Sequence, residues 1–316
     1  MTPEQRTKAS TDLTLTYLGN YFPSWRLTKV LANKKLLNER YSFYKDISKI
    51  VRQLDDIEGE ATIAQEIQNG IIFDSIAECI QYIEDLFALI KASRNPDYFI
   101  KNIVTYNAGT VTNTVKSFKL DRGSISRAFH FPIDLKIVNL KDKELYNKGV
   151  DDLIQLIIDL KEFYYDFLFF YTQYKHGLAV GMRPHGNLYN KDQIEKDKNG
   201  EFEFSPVVYD NMNLKAASKK GTFNIKVGVM MPGFTENVRP FIGHLEKSNN
   251  FLRIVYPPNY PNFTYKLLID TAYKTRTCLN VFIANFSHAI MPKNESNKFQ
   301  LPCDDFTKNE YIVCNY

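Results

Sequence analysis

Cysteine is scarce in this sequence: four residues, Cys79, Cys278, Cys303 and Cys314, in a chain of 316. They share no C-x-x-C spacing and have no histidine at ligand distance in sequence, which sets aside a zinc knuckle. Cys79 falls on a helical apolar stripe and reads as a small core residue rather than a nucleophile. Cys303 and Cys314 could pair only in an oxidising compartment. A large charge of one sign is also missing. Forty basic against thirty-six acidic residues leave a net charge of +4, too little on this length to imply a nucleic acid or an anionic membrane from bulk charge, so such a partner has to be argued from a local patch. The opening MTPEQRTKASTDLTL has no uninterrupted apolar stretch, which argues against a secretory leader and gives a cytoplasmic chain as the expectation. Uncharged apolar runs are lacking too. The most apolar long segment, 150–174, carries Asp151, Asp152, Asp159, Lys161, Glu162 and Asp166, each costing about 2.5–3.5 kcal/mol at the centre of a bilayer, so no membrane span is expected. The G-x-x-x-x-G-K-[ST], G-x-G-x-x-G, H-E-x-x-H and G-x-S-x-G patterns are all absent. Nucleotide hydrolysis and metal proteolysis therefore fall away, and no metal or cofactor is expected.

What is present is globular in composition, 44% hydrophobic, 14% aromatic and 24% charged, on a chain about twice the length of a common domain. Apolar residues at steps of three and four predict a helix over Trp25–Leu54 and a longer one over Glu60–Lys91, stopped at Ser93-Arg94-Asn95-Pro96. A weaker helix is expected over Asp97–Lys119. Arg122-Gly123-Ser124 and Pro132 read as a loop, and a broad aromatic face predicts a central helix over Gly149–His176. Alternation in Glu201–Phe204, Val207–Tyr209 and Thr222–Val229 predicts a small β-hairpin. A helix is expected to begin near Glu236, and a last long helix to run over Thr264–Ile290, ended by Pro292. The expected organisation is an arm at 1–24, a single helical domain at 25–292 with a β insertion at about 200–231, and a tail at 293–316. The fold class is mainly α, a helical bundle.

Charge along the chain is segregated. Between Arg26 and Arg52 eight basic residues meet only Glu39 and Asp46, whereas 55–85 holds nine acids and no Lys or Arg. A phosphate-binding stripe is one reading. The other is that two antiparallel helices pair these charges with each other.

Tyr171-Thr172-Gln173-Tyr174-Lys175-His176-Gly177 is the most distinctive string. As a helix end it needs no further account: Lys175 and His176 complement the dipole and Gly177 can take the left-handed cap. An imidazole beside tyrosines also suits general acid or base work on a phosphodiester. Together with Tyr82-Ile83-Glu84-Asp85-Leu86 in an early long helix, the string resembles prokaryotic helical proteins related to HEPN domains, over roughly residues 27–177. The resemblance implies a helical bundle, a homo-oligomer, a role in anti-phage defence or a toxin–antitoxin pair, and engagement of RNA or a partner protein. It also implies, for many members, a metal-independent ribonuclease with an Arg and a following His separated by four to six residues.

That pair is missing at His176, where positions 169–171 are Phe169, Phe170 and Tyr171. The spacing occurs in Arg239-Pro240-Phe241-Ile242-Gly243-His244, although a chain of this composition produces about one such spacing by accident. If that pair is active, Arg239 would stabilise charge on phosphorus and His244 would move the proton of an attacking 2′-hydroxyl. The candidate catalytic residues are therefore His176, Arg239 and His244, and the candidate RNA-binding residues are Lys175, Arg183 and His185, the last two in a Pro- and Gly-rich turn. His130 and His288 sit near element ends and read as solvated or capping residues. The alternative function is a non-enzymatic interaction or assembly module whose interface is the aromatic helix 150–174 together with the β insertion.

Overall fold

Polar as it is, the N-terminal sequence carries a helix-start signal: Thr2, then Pro3, then Gln5 three positions beyond the cap. In the computed structural model the Gln5 amide donates to Thr2 Oγ1 at 3.3 Å and the Thr2 amide donates to Gln5 Oε1 at 2.8 Å. This reciprocal box opens helix α1, Pro3–Asn20, so the expected arm is helical over those residues.

The structure describes residues 2–43, 49–50, 60–132, 140–176, 180–181, 207–213, 227–228, 250–255, 263–291, 298–302 and 311–315. Over these the chain is mainly α with small antiparallel sheets. Helix α2 is Trp25–Phe43 and α3 is Glu60–Ala92. The weaker helix expected at 97–119 divides into a 3-10 turn, Pro96–Tyr98, then α4, Phe99–Val104, and α5, Ala108–Ser117. Asn107 makes the division by capping α5, its side chain accepting from the Thr110 amide at 3.2 Å. The loop expected at Arg122-Gly123-Ser124 is instead the first turn of α6, Arg122–Ala128, because Asp121 caps it. Helix α7 is Leu140–His176, starting before the expected Gly149, and α8 is Lys266–Ile290.

Four strands, β1 (Val180–Gly181), β2 (Val207–Asn213), β3 (Val227–Gly228) and β4 (Asn250–Val255), form an antiparallel sheet in the order β1-β2-β4-β3. The expected strands at 207–209 and 227–229 lie in β2 and β3, while 201–206 and 222–226 lie outside the described residues. The helix expected from Glu236 is corrected at its far end, where Asn250–Val255 pairs with β2 along its whole length. Residues 236–249 lie outside the described residues. In the expected tail, β5 (Lys298–Pro302) and β6 (Tyr311–Asn315) form a separate two-stranded pair.

The chain divides into two compact units. The first comprises Met1–Thr28, Gln81–Phe163 and Asp270–Tyr316. Its interior is aromatic: the Phe99 and Phe286 rings lie 5.1 Å apart, Phe282 and Phe286 5.6 Å, and Phe131 packs edge-on against Tyr146 and Phe299 at 5.8 and 6.0 Å. Such pairs contribute about 0.5–1.5 kcal/mol each beyond their burial. The Arg26 guanidinium reaches Asp85 at 2.6 Å and Gln81 at 2.8 Å, and Lys274 reaches Asp159 at 2.5 Å.

The second unit comprises Lys29–Ile80 and Tyr164–Ile269. Within it α2 and α3 run antiparallel, with Lys29 on Glu78 at 2.5 Å and Asn33 on Ser75 at 3.0 Å. The buried Tyr265 hydroxyl donates to the Val30 carbonyl at 2.8 Å and meets Ser75 Oγ at 2.6 Å. Phe73 stacks on Tyr174 at 4.8 Å. Of the two readings of the segregated charge, these contacts support internal pairing. No helix among the described residues is long and apolar enough to cross a membrane.

Gly149 lies inside α7 because a neighbour occupies the place of its side chain: an added Cβ would meet Leu301 Cδ2 at 2.7 Å and Leu301 Cβ at 3.0 Å. Gly149→Ala gains helix propensity of about 1 kcal/mol but overpacks a site whose neighbour Leu301 is fully buried, at about 1–3 kcal/mol. Urea denaturation should show a net loss of stability. An unchanged or raised midpoint would contradict the packing at this position.

Candidate functional site

Seven residues make a short helix that needs closure at both ends. Asp121 accepts from the Ser124 amide at 2.8 Å at the start of α6. At the other end His130 takes φ of 54°, the Phe131 amide donates to the Ser126 carbonyl at 2.9 Å, and the His130 amide donates to the Arg127 carbonyl at 3.4 Å. This is the Schellman pattern, with histidine where glycine is usual. A non-glycine residue held in the left-handed region marks a place where the surroundings over-determine the backbone.

The surroundings here are specific. The His130 ring lies 4.7 Å from the Phe286 ring and 5.9 Å from Phe282. Its Nε2 is 3.0 Å from Ser93 Oγ. The Ser93 hydroxyl donates its one proton to the Ile90 carbonyl at 3.0 Å, so Ser93 Oγ accepts from His130 Nε2–H and fixes the tautomer. Burial pushes the His130 pKa down from 6.5 to about 4, and the ring is neutral at neutral pH. The expectation of a solvated His130 is thereby corrected: its backbone closes a helix, as a capping role requires, but its ring packs against Phe282 and Phe286. His288 bonds the Lys298 carbonyl at 3.0 Å through Nδ1.

His130 and Ser93 line a cleft of about 430 Å³ in the first unit, with Ile90 and Phe118 as apolar lining and Arg94, Lys119 and Arg127 as its charged side chains. Among the described residues no carboxylate lines it. Arg94 and Lys119 are exposed and make no ion pair or side-chain hydrogen bond among the described residues. Arg127 donates to Ser124 Oγ at 3.4 Å, and Ser124 in turn donates to Asp121 at 2.7 Å. These hydrogen bonds from Ser124, side chain first, hold the Asp121 pKa below its usual value, with a smaller contribution from Arg127. Below the apolar lining, the Phe118 ring meets Phe87 edge-on at 5.1 Å and its carbonyl accepts from Lys161 at 2.9 Å. Burial lowers the Lys161 pKa.

The residues singled out in the sequence fare differently. His176 is the last residue of α7, but its side chain lies outside the described residues, as do Gly177, Arg183, His185, Arg239 and His244. Lys175 is exposed. Its neighbour Tyr174 bonds Asp74 through its hydroxyl, and burial, then that bond, raises the phenol pKa. In the other string, Asp85 pairs with Arg26, and the buried Tyr82 donates to the Pro23 carbonyl. Cys79 and Cys278 are fully buried, and burial pushes both thiols up, so Cys79 is the core residue its apolar stripe predicts.

The cleft is lined from three segments, 90–94, 117–119 and 124–130. Ser93-Arg94 belongs to a helix stop and Ser124 to a string that composition reads as a loop, so the sequence gives these residues no signal as a site. Comparison of the chain with protein-family models, with curated proteins and with solved structures gives no match.

A base whose folded-state pKa lies below its unfolded one is protonated more readily when unfolded. The stability His130 contributes is therefore complete above pH 6.5 and is lost as pH falls towards about 4, at up to about 1.4 kcal/mol per pH unit. His130→Asn, which keeps a residue tolerant of the left-handed region, should flatten the fall in stability over this window in urea titrations. Parallel pH profiles for parent and variant would contradict a half-buried neutral ring.

Proposed function

We propose that this chain engages RNA through phosphate groups held at the cleft lined by Arg94, Lys119 and Arg127. One observation supports the reading: among the described residues, three cationic side chains line a single cleft and no carboxylate does. Phosphate contacts dominate the affinity of proteins for nucleic acid, and arginine matches phosphate geometry with paired donors. The HEPN-like resemblance extends the proposal to a prokaryotic anti-phage defence or toxin–antitoxin system and to a homo-oligomer with a partner protein. In its catalytic form the proposal assigns metal-independent cleavage to Arg239, His244 and His176, with Lys175, Arg183 and His185 as further RNA contacts.

A second reading, a non-enzymatic interaction or assembly module, draws on the apolar side chains that the first unit exposes, among them Phe22 at 63%, Trp25 at 43%, Tyr98 at 54% and Val104 at 75%. Aromatic residues are the types that interfaces favour.

Fluorescence anisotropy with single-stranded RNA over a salt series separates the two. The RNA reading expects affinity to fall with salt and expects Arg94→Gln/Lys119→Gln to weaken binding alike for different sequences. The log–log salt slope should shrink by about 0.7 for each phosphate that the variant no longer neutralises. No binding by the parent protein, or the same affinity and slope in the double variant, would reject this use of the cleft.

A further inference from the structure

The hydroxyls and cations of the cleft have different freedom. Ser93 commits its proton to the Ile90 carbonyl, Ser117 to the Asn113 carbonyl at 2.8 Å, and Ser124 to Asp121. The donors left for a ligand are those of Arg94, Lys119 and Arg127, about a dozen N–H groups with no carboxylate among the described lining side chains to accept from them. Such a lining selects a ligand that is nearly all acceptor. Charge narrows the class further. Among the described residues three cations line the cleft, and one carboxylate, Asp121, interacts with Arg127 and offsets one of them. About two positive charges remain. An internal phosphodiester brings a single negative charge, whereas a phosphomonoester brings about −1.5 to −2 at pH 7 and three strong acceptor oxygens. A volume of about 430 Å³ lies in the range of sites that enclose one small ligand. The apolar side chains of Ile90 and Phe118 offer cover for the group that bears the phosphate.

From this charge balance and donor set, and resting on the reading of the cleft as the phosphate site, we infer that it is a terminal-phosphate site: it takes a phosphomonoester, at the end of an RNA strand or on a free nucleoside monophosphate, in preference to an internal phosphodiester. Arg94 and Arg127 clamp the phosphate oxygens from separate segments and Lys119 adds a point charge. Neutral His130 adds no charge. Its bond to Ser93 instead ties the end of α6 to the end of α3, and with them the two arginines' backbones.

The test measures binding of the full chain to one RNA sequence made with a 5′-phosphate, with a 3′-phosphate, or with hydroxyls at both ends, at about 0.15 M salt, with competition by adenosine monophosphate and by adenosine. At least one phosphorylated RNA should bind about tenfold tighter or more than the hydroxyl-ended RNA, the effect of one further charge-assisted hydrogen bond. Adenosine monophosphate should compete and adenosine should not. Arg94→Gln/Arg127→Gln should erase the preference. Both residues are exposed, and an unchanged thermal midpoint in the variant confirms that the fold is intact. Equal binding of all three RNAs would overturn the terminal-phosphate inference and leave the RNA reading standing. Binding of the monophosphate with none of RNA would uphold the inference, assign the free nucleotide as its source, and overturn the RNA reading. Binding of neither would overturn both.

Discussion

Histidine at a left-handed helix end gives up backbone ease that glycine would have, and at residue 130 the surroundings return it. The ring joins Phe282 and Phe286 on one side and donates to Ser93 on the other. The same Phe286 touches Phe99, which touches Tyr17 of α1 at 5.8 Å. Through this line of rings the end of α6 is fixed against α8, α4 and α1. A residue chosen only for its backbone would close α6 and leave Ser93 without its partner. His130 thus belongs both to the aromatic interior of the first unit and to the cleft lining, and a change to its ring acts on both.

Charge is used in two separate ways. Basic residues at the start of α2 pair with acids of α3: Arg26 with Asp85 in the first unit, Lys29 with Glu78 in the second. These pairs are partly exposed, and each contributes little to stability by itself. They account for part of the most conspicuous charge pattern in the sequence without a ligand. Arg94, Lys119 and Arg127 belong to no run, and a window of sequence gives them no emphasis. They matter because folding brings three segments, 90–94, 117–119 and 124–130, to one cleft.

That contrast explains how much could be read beforehand. Helices α3 and α8 were legible because apolar residues recur at three and four over many turns. Helix α1 was not, since Thr14 and Leu18 are the buried side chains among its described residues and its capping box is the stronger signal. Helix α6 is short and begins Arg-Gly-Ser, which composition reads as a turn. Strand β4 has apolar Phe251, Leu252, Ile254 and Val255, a pattern without alternation that a buried helix would share, and its pairing with β2 decides the matter. Strands β5 and β6 are five residues each, too short for a period to declare itself. For the site, a histidine near an element end gave no sign of its φ or of Ser93, thirty-seven positions away, because neither is a local property.

The most direct measurement is an NMR titration of the isotope-labelled full chain with adenosine monophosphate. Amide resonances of residues 93–94, 117–119 and 124–130 should move together and saturate, while the His130 ring nitrogens keep the neutral form protonated at Nε2. Saturable shifts confined to other residues, or a His130 ring that is charged at neutral pH, would contradict a cationic cleft walled by a half-buried neutral histidine.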